Sequence, residues 1–350
     1  MYDKDIYRFL LRLSVFSLPM VLVACLYVLC DPFKVVWHYD RYFDDNVSHV
    51  ALNMDFVSAE NFAGRNTSRN YNAFIFGNSR SQYWRVDDWK SHIGSDARPY
   101  HFYGSGETLY ALRNNIRFID RQGNRIDYAL LVVDAELLSQ TEPKTGHLFC
   151  TPPRIVGYRT IATFHARNFA AFLNPVFAYA CVDLMLNGTL KPYMTERYLM
   201  EQPVVYHPES NEIVDEMFDR AIEAGTYYTE RRMLRFRGRQ HPDSISPQVI
   251  NAENRQMLEE IKQILGKHHT RYRVVISPLY DQVRINPADL QILRTVFGRD
   301  YVHDFSGKNP ITTDHHNYYE DSHYRPVVAR QLMDSIYSGR GSFQSPDLYN

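Results

Sequence analysis

Phe74-Ile-Phe-Gly-Asn-Ser-Arg-Ser81 is the stretch around which the rest of the chain is organised. The apolar residues 73–76 form a short buried-strand run, Gly77 permits a sharp turn, and Ser79 falls where a helix starting near Gln82 would begin. A hydroxyl placed there is approached by backbone amides near a helix N-terminus, which favour the negative charge that develops when it attacks a carbonyl. The same residues also fit a plain turn with an N-cap serine.

A second stretch near the other end, Asn317-Tyr-Tyr-Glu-Asp-Ser-His-Tyr324, leads into an amphipathic helix over 327–337. A serine hydroxyl is a weak nucleophile until a base takes its proton, usually a histidine oriented by a carboxylate. Asp321 and His323 supply that pair on one loop. The early Gly77-Asn-Ser-Arg-Ser81 and the late Asp321-Ser-His323 together resemble the SGNH (GDSL-like) hydrolase superfamily, and within it the membrane-anchored branch of DltD-like proteins and AlgX/AlgJ-type polysaccharide O-acetyltransferases. The resemblance covers residues 71–140 and 246–338, and the single residue between Asp321 and His323 is similar to the alginate acetyltransferase pattern.

The resemblance implies a catalytic Ser79, His323 and Asp321, with no cofactor. It also implies an oxyanion hole built from the serine's own N–H, a glycine after the second strand and an asparagine after the third. Ser79 and Gly104 match the first two, but Asp134 stands at the third position, and an ionised carboxylate cannot donate a hydrogen bond. Asn78 and Arg80 are the nearest substitutes. The implied activity is acyl transfer or ester hydrolysis, with acetyl the expected group, on a cell-surface glycan or another acyl ester, beside a membrane-embedded acyltransferase partner. The alternative is a non-catalytic SGNH-like scaffold or binding component of such a system, which Asp134 favours.

Between the two stretches, short apolar runs at 73–77, 100–103, 128–133, 272–276 and 301–305 alternate with helical patterns at 82–92, 107–121, 247–265 and 287–297. That alternation predicts a doubly wound parallel α/β sheet, SGNH-hydrolase-like and flavodoxin-like in its three layers. Ligands in such sheets sit beyond the carboxyl ends of the strands, where Ser79, Gly104, Asp134 and Pro278 fall. In the helix over 247–265, Ser246 suits the cap and Pro247 the first turn. The alternation breaks between about 138 and 245. Residues 161–186 are strongly apolar but interrupted by Arg167, Asn174, Pro175 and Asp183, which reads as a helical insertion packed on the α/β domain at 71–345. A cap over the site, or a surface resting on a membrane, fits the same residues. Arg231-Arg-Met-Leu-Arg-Phe-Arg-Gly-Arg239 is a basic and aromatic run, suited to solvent, acidic polysaccharide or anionic headgroups.

Residues 13–30 are uncharged and mostly apolar, preceded by Lys4, Arg8 and Arg12, which predicts an N-terminus in the cytoplasm and residues 31–350 outside, and the resemblance implies that the membrane is a bacterial inner membrane. An uncleaved anchor at 1–30 is favoured over a cleaved signal peptide because no small-x-small site follows. Leu22-Val-Ala-Cys25 also resembles a lipobox, although the apolar run continues past Cys25. Residues 31–70 read as a juxtamembrane segment without clear periodicity. With 39 basic and 40 acidic side chains the net charge is -1, and nothing draws the chain to nucleic acid. The 26 tyrosines suit stacking on sugar rings as well as ordinary interfaces. Cys150 and Cys181 fit either a disulfide or two buried thiols, and the adjacent pairs His268-His269 and His315-His316 do not have metal-site spacing.

Overall fold

The computed structural model describes residues 2–43, 49–195, 199–200, 205–214, 216–239, 241 and 243–338. Of the expected segments, residue 1 of the anchor, residues 44–48 of the juxtamembrane stretch, residues 339–345 of the α/β domain and parts of the insertion lie outside the described residues. Five strands make one parallel sheet: β1 (Ala73–Gly77), β2 (Pro99–Tyr103), β3 (Tyr128–Val133), β4 (Arg271–Ile276) and β5 (Val302–Asp304). Their order is β2-β1-β3-β4-β5, so the chain steps outward from β1 to β2 and then reverses through β3.

All five residues of β1 are buried, as both faces of the sheet are covered. Phe74 and Phe76 enter one apolar cluster with Phe62, Phe102, Leu112 and Ile261, on the side of the helices Met54–Arg69, Leu109–Arg121, Ala252–Lys267 and Pro287–Phe297. Ala73 and Ile75 enter the other with Trp84, Trp89 and Leu332, under Val86–Lys90 and Pro326–Tyr337. Phe62 is fully buried with the rings of Phe74, Tyr100, Phe102 and Phe118 around it at 5.6 to 6.1 Å, and aromatic pairs of this kind add about 0.5–1.5 kcal/mol each beyond their buried area.

Three local expectations are corrected. The helix over 247–265 begins at Ala252, because Asn251 and Asn254 cap each other reciprocally. Ser246 instead accepts from the Asn286 N–H, and the N–H groups of Val249 and Ile250 go to the Asp289 carboxylate. The pattern over 82–92 is two pieces, a 3-10 turn Ser79–Tyr83 and a helix Val86–Lys90, separated by extended Trp84 and Arg85. Within 31–70 the chain forms a helix, Met54–Arg69, capped by Asn53 and closed by Asn70 in the left-handed region. Its buried side includes Asp55, Ser58 and Asn61, which hides the apolar period.

The insertion carries helices Ile161–Phe172 and Pro175–Asn187 but is not wholly helical, since Val205–His207 and Glu212–Val214 form an antiparallel hairpin. The hairpin turn covers the edge of the sheet: His101 N–H donates to Ser210 O (2.9 Å) and Asn211 Nδ2 to His101 O (2.6 Å). The N-terminal helix Tyr2–Cys30, at 29 residues, is long and apolar enough to cross a membrane. At its end Asp31 accepts from the N–H groups of Val35, Val36 and Trp37, and Trp37 Nε1 donates to Val28 O (2.8 Å), so the exit from the helix is tied down. Cys150 and Cys181 are both buried free thiols.

Candidate active site

The site forms at the carboxyl end of β1. A Cβ on Gly77 would lie 2.6 Å from Val132 O and 2.9 Å from Ser81 Cβ, so the strand can leave the sheet this closely only with glycine there. Asn78 Oδ1 accepts from Arg80 N–H at 3.0 Å and caps the 3-10 turn, which makes Ser79 its first residue. Ser81, by contrast, faces inward. Its hydroxyl donates to Asn78 O (2.8 Å) and meets Nε2 of fully buried His101 (3.1 Å), whose pKa burial and then Arg85 push down to about 3. Of the two serines in the motif, Ser79 is the one with a partly exposed side chain.

His323 arrives from the short hairpin Tyr318–Glu320 and His323–Tyr324. Its Nε2 lies 2.9 Å from Ser79 Oγ, and its Nδ1 is hydrogen-bonded to Glu320 Oε1. The expected carboxylate, Asp321, is not the histidine's partner. Glu320 and His323 are paired across the hairpin, so their side chains share a face, whereas Asp321 occupies the turn. There it accepts from Arg237 N–H (3.3 Å) and from Ser322 Oγ (3.0 Å). The signal for Glu320 is present in Tyr-Tyr-Glu-Asp-Ser-His-Tyr, where a two-residue turn brings the residues on either side of it together. Burial pushes the Glu320 carboxyl up, but the His323 bond and charge and the Ser322 N–H outweigh it, so the group is held below the usual range and is ionised at neutral pH.

The hairpin is braced from three directions. Trp84 Nε1 donates to Tyr324 OH (2.7 Å), Tyr318 OH to Pro278 O (2.9 Å), and Tyr227 OH, from the insertion, to Tyr319 O (2.9 Å). The Trp84 bond matters most, because Trp84 follows the turn that carries Ser79 and so fixes the two halves of the site to one another.

The expected oxyanion donors are differently placed. Asp134 caps the turn after β3 through Leu137 N–H (3.0 Å) and accepts from Asn78 Nδ2 (2.7 Å) and Arg80 Nη1 (2.8 Å). The two substitutes are therefore turned onto Asp134, with Arg80 Nη2 on Glu136 as well (3.0 Å). The Gly104 N–H donates to Gly77 O and Glu107 Oε2, both at 3.3 Å. A Cβ at Gly104 would sit 2.4 Å from Asp55 Oδ1. Glycine is thus required at 104 by close packing against the buried Asp55 carboxyl group. Among the described residues the Ser79 N–H has no acceptor at this turn, and neither has the buried Arg80 Nε.

Beside His323 lies an open groove of about 580 Å³, lined by Tyr83, Tyr227, Tyr319, Arg232, Arg235 and Arg237 together with Glu320 and Asp321. The basic run of the sequence is thereby brought to the site. Arg232 stacks on Tyr227 with its guanidinium carbon 4.2 Å from the ring centre. A comparable concavity of about 610 Å³ opens beside Arg271, at the amino end of β4, far along the sheet from Ser79. Asp314, His315 and His316 gather ligand atoms within 4.8 Å of one another, but two of the three are exposed and Asp314 already holds His316. No protein-family model matches the chain, and no curated protein is significantly similar to it.

Proposed function

We propose that this chain is a membrane-anchored, extracytoplasmic acyl ester transferase or esterase of SGNH type, acting on cell-surface polysaccharide. The observation that carries the reading is the continuous chain from Ser79 Oγ through His323 to Glu320, opening on a groove of tyrosines and arginines. With Nδ1–H directed at the carboxylate, Nε2 is left to accept the serine proton. As Ser79 Oγ bonds to the acyl carbon, its proton passes to Nε2, and Glu320 stabilises the imidazolium. Collapse of the tetrahedral adduct expels the alcohol, which takes that proton and leaves an acyl-serine. Water or a sugar hydroxyl then attacks the acyl-serine, giving its own proton to Nε2, and as the ester bond breaks Ser79 Oγ leaves and takes that proton back from Nε2, regenerating both side chains. The tyrosines are buried against one another and form the floor of the groove, and its arginines suit an acidic glycan or its substituents.

The test uses the full chain in detergent with an activated acetyl ester, followed by intact mass and peptide mapping. An acetyl group on Ser79 that is lost in Ser79→Ala and falls sharply in His323→Ala is the expected result, and added oligosaccharides then separate transfer from hydrolysis. A second reading, a non-catalytic component of a polysaccharide-modifying system, is favoured by one observation. Asn78 Nδ2, both Nη groups of Arg80 and the Gly104 N–H are committed to other acceptors. Removing an oxyanion donor from an enzyme that relies on it costs about 3 kcal/mol. A folded protein that takes up no acetyl group would decide for that second reading.

A further inference from the structure

We propose that the helix pair Ile161–Phe172 and Pro175–Asn187 is a membrane pad, seated in the outer-leaflet lipid of the same bilayer that Tyr2–Cys30 crosses; the inference rests on the reading of that helix as an anchor. Two independent observations carry it. The first is depth. The uncharged run 13–30 rises by about 27 Å, slightly less than the ~30 Å hydrocarbon layer, so all of it is needed to cross. Val23, Leu26 and Tyr27 therefore lie roughly 4–11 Å inside its outer edge. These are the residues the pair packs on: the Tyr27 ring is 5.4 Å from both Phe169 and Phe172, and Val23 and Leu26 join the same apolar cluster. Just past the helix, Phe33 stacks on Phe177 at 5.4 Å. Elements resting on that part of the anchor are at lipid depth.

The second observation is the opposite side of the pair. Between residues 161 and 187 the charged side chains are half-buried Arg167 and buried Asp183, while Ile161, Leu173, Val176, Tyr179, Met185 and Leu186 are exposed. A helix that faces water carries charge on its outer side. The one acid in the stretch, Asp183, is buried and held by Lys191 Nζ (2.7 Å) and Tyr193 OH (2.6 Å). Pro175 and the Asn174 cap turn the second helix by 84° from the first, so the two lie across one another and not as one straight span. Exposed Trp37, Tyr158 and Tyr179 supply the aromatic side chains that favour the headgroup boundary. Two apolar faces, one against the anchor and one without charge, fit a monotopic element in lipid.

The experiment places photoreactive p-benzoyl-phenylalanine singly at Tyr179, Leu186, Leu29 and Glu259 of the full chain, reconstituted in nanodiscs of phosphatidylethanolamine and phosphatidylglycerol, and reads lipid adducts by mass spectrometry. Leu29 reports the anchor, and Glu259 is an exposed position on the helix Ala252–Lys267. Adducts at Tyr179 and Leu186 comparable to those at Leu29, and at least about tenfold above Glu259, are expected. Adducts at Leu29 without them at Tyr179 and Leu186 overturn the pad and leave the anchor standing. Absence at Leu29 as well overturns both. Protein cross-links from Tyr179 or Leu186 in place of lipid adducts overturn the pad in favour of a second copy on that face.

Discussion

At the scale of single residues the site turns on which carboxylate holds His323. Spacing alone points to Asp321, because an Asp-x-His pair on one loop is a familiar arrangement, but hairpin register puts Glu320 beside the imidazole and Asp321 at the turn. The two acids separate cleanly by substitution. Glu320→Gln keeps the size and the hydrogen-bonding oxygen but removes the charge that stabilises the imidazolium, and Ser79 acetylation should fall by on the order of 10³-fold or more. Asp321→Asn removes the charge of a carboxylate that accepts from Arg237 N–H and Ser322 Oγ and lies beside Glu320 without holding the imidazole, and should change the rate by no more than about fivefold, the scale of one exposed hydrogen bond. Burst kinetics with an activated acetyl ester measure both, and a loss in Asp321→Asn with none in Glu320→Gln would return the role to Asp321.

At the scale of elements, sequence periodicity is enough where burial is apolar and fails where it is polar. The two central strands β1 and β3 are apolar runs buried at every residue, and all five parallel strands are legible within two residues. The helix Met54–Arg69 is not, because its inward side presents Asp55, Ser58 and Asn61 to buried partners such as the Asn115 amide and Tyr103 O. Ser79 is legible from its strand and turn, whereas Glu320 is legible only once Asp321-Ser322 is recognised as the two-residue turn of a hairpin. Two glycines test how these elements are set. Gly77→Ala drives a methyl into Val132 O and should destabilise by about 1–3 kcal/mol while displacing Ser79. Gly64→Ala, in the interior of Met54–Arg69 with nothing within 4 Å, should stabilise by about 0.5–1 kcal/mol. Denaturant midpoints in detergent read both, and equal signs would show that the close approach of Gly77 to Val132 does not govern the effect of substitution there.

At the scale of the whole molecule, the helix Met54–Arg69, the end of β2 and the helix Leu109–Arg121 meet at two carboxyl groups that the proposed chemistry does not use. Asn115 Nδ2 donates to Asp55 Oδ1 (3.2 Å) and to Glu107 Oε1 (2.6 Å), while Gly104 packs directly against Asp55 and its N–H donates to Glu107 Oε2. Burial raises the Asp55 pKa to about 6 against the opposing Asn115 bond, and burial with the charge of Asp55 raises Glu107 well above its ordinary value. A folded pKa above the unfolded one means the native state holds the proton more tightly. The resulting stability is complete below the unfolded value near 3.8 and is lost as pH rises through about 6, the folded value of Asp55. Asp55→Asn keeps an oxygen for Asn115 and removes the charge, so it should flatten the fall in thermal midpoint between about pH 4 and pH 7 and leave the variant the more stable protein at the upper end. Full-chain melts in detergent across that range check this, and a variant that loses stability equally at both ends would show that the three elements meet through packing and hydrogen bonds without a proton between the two acids.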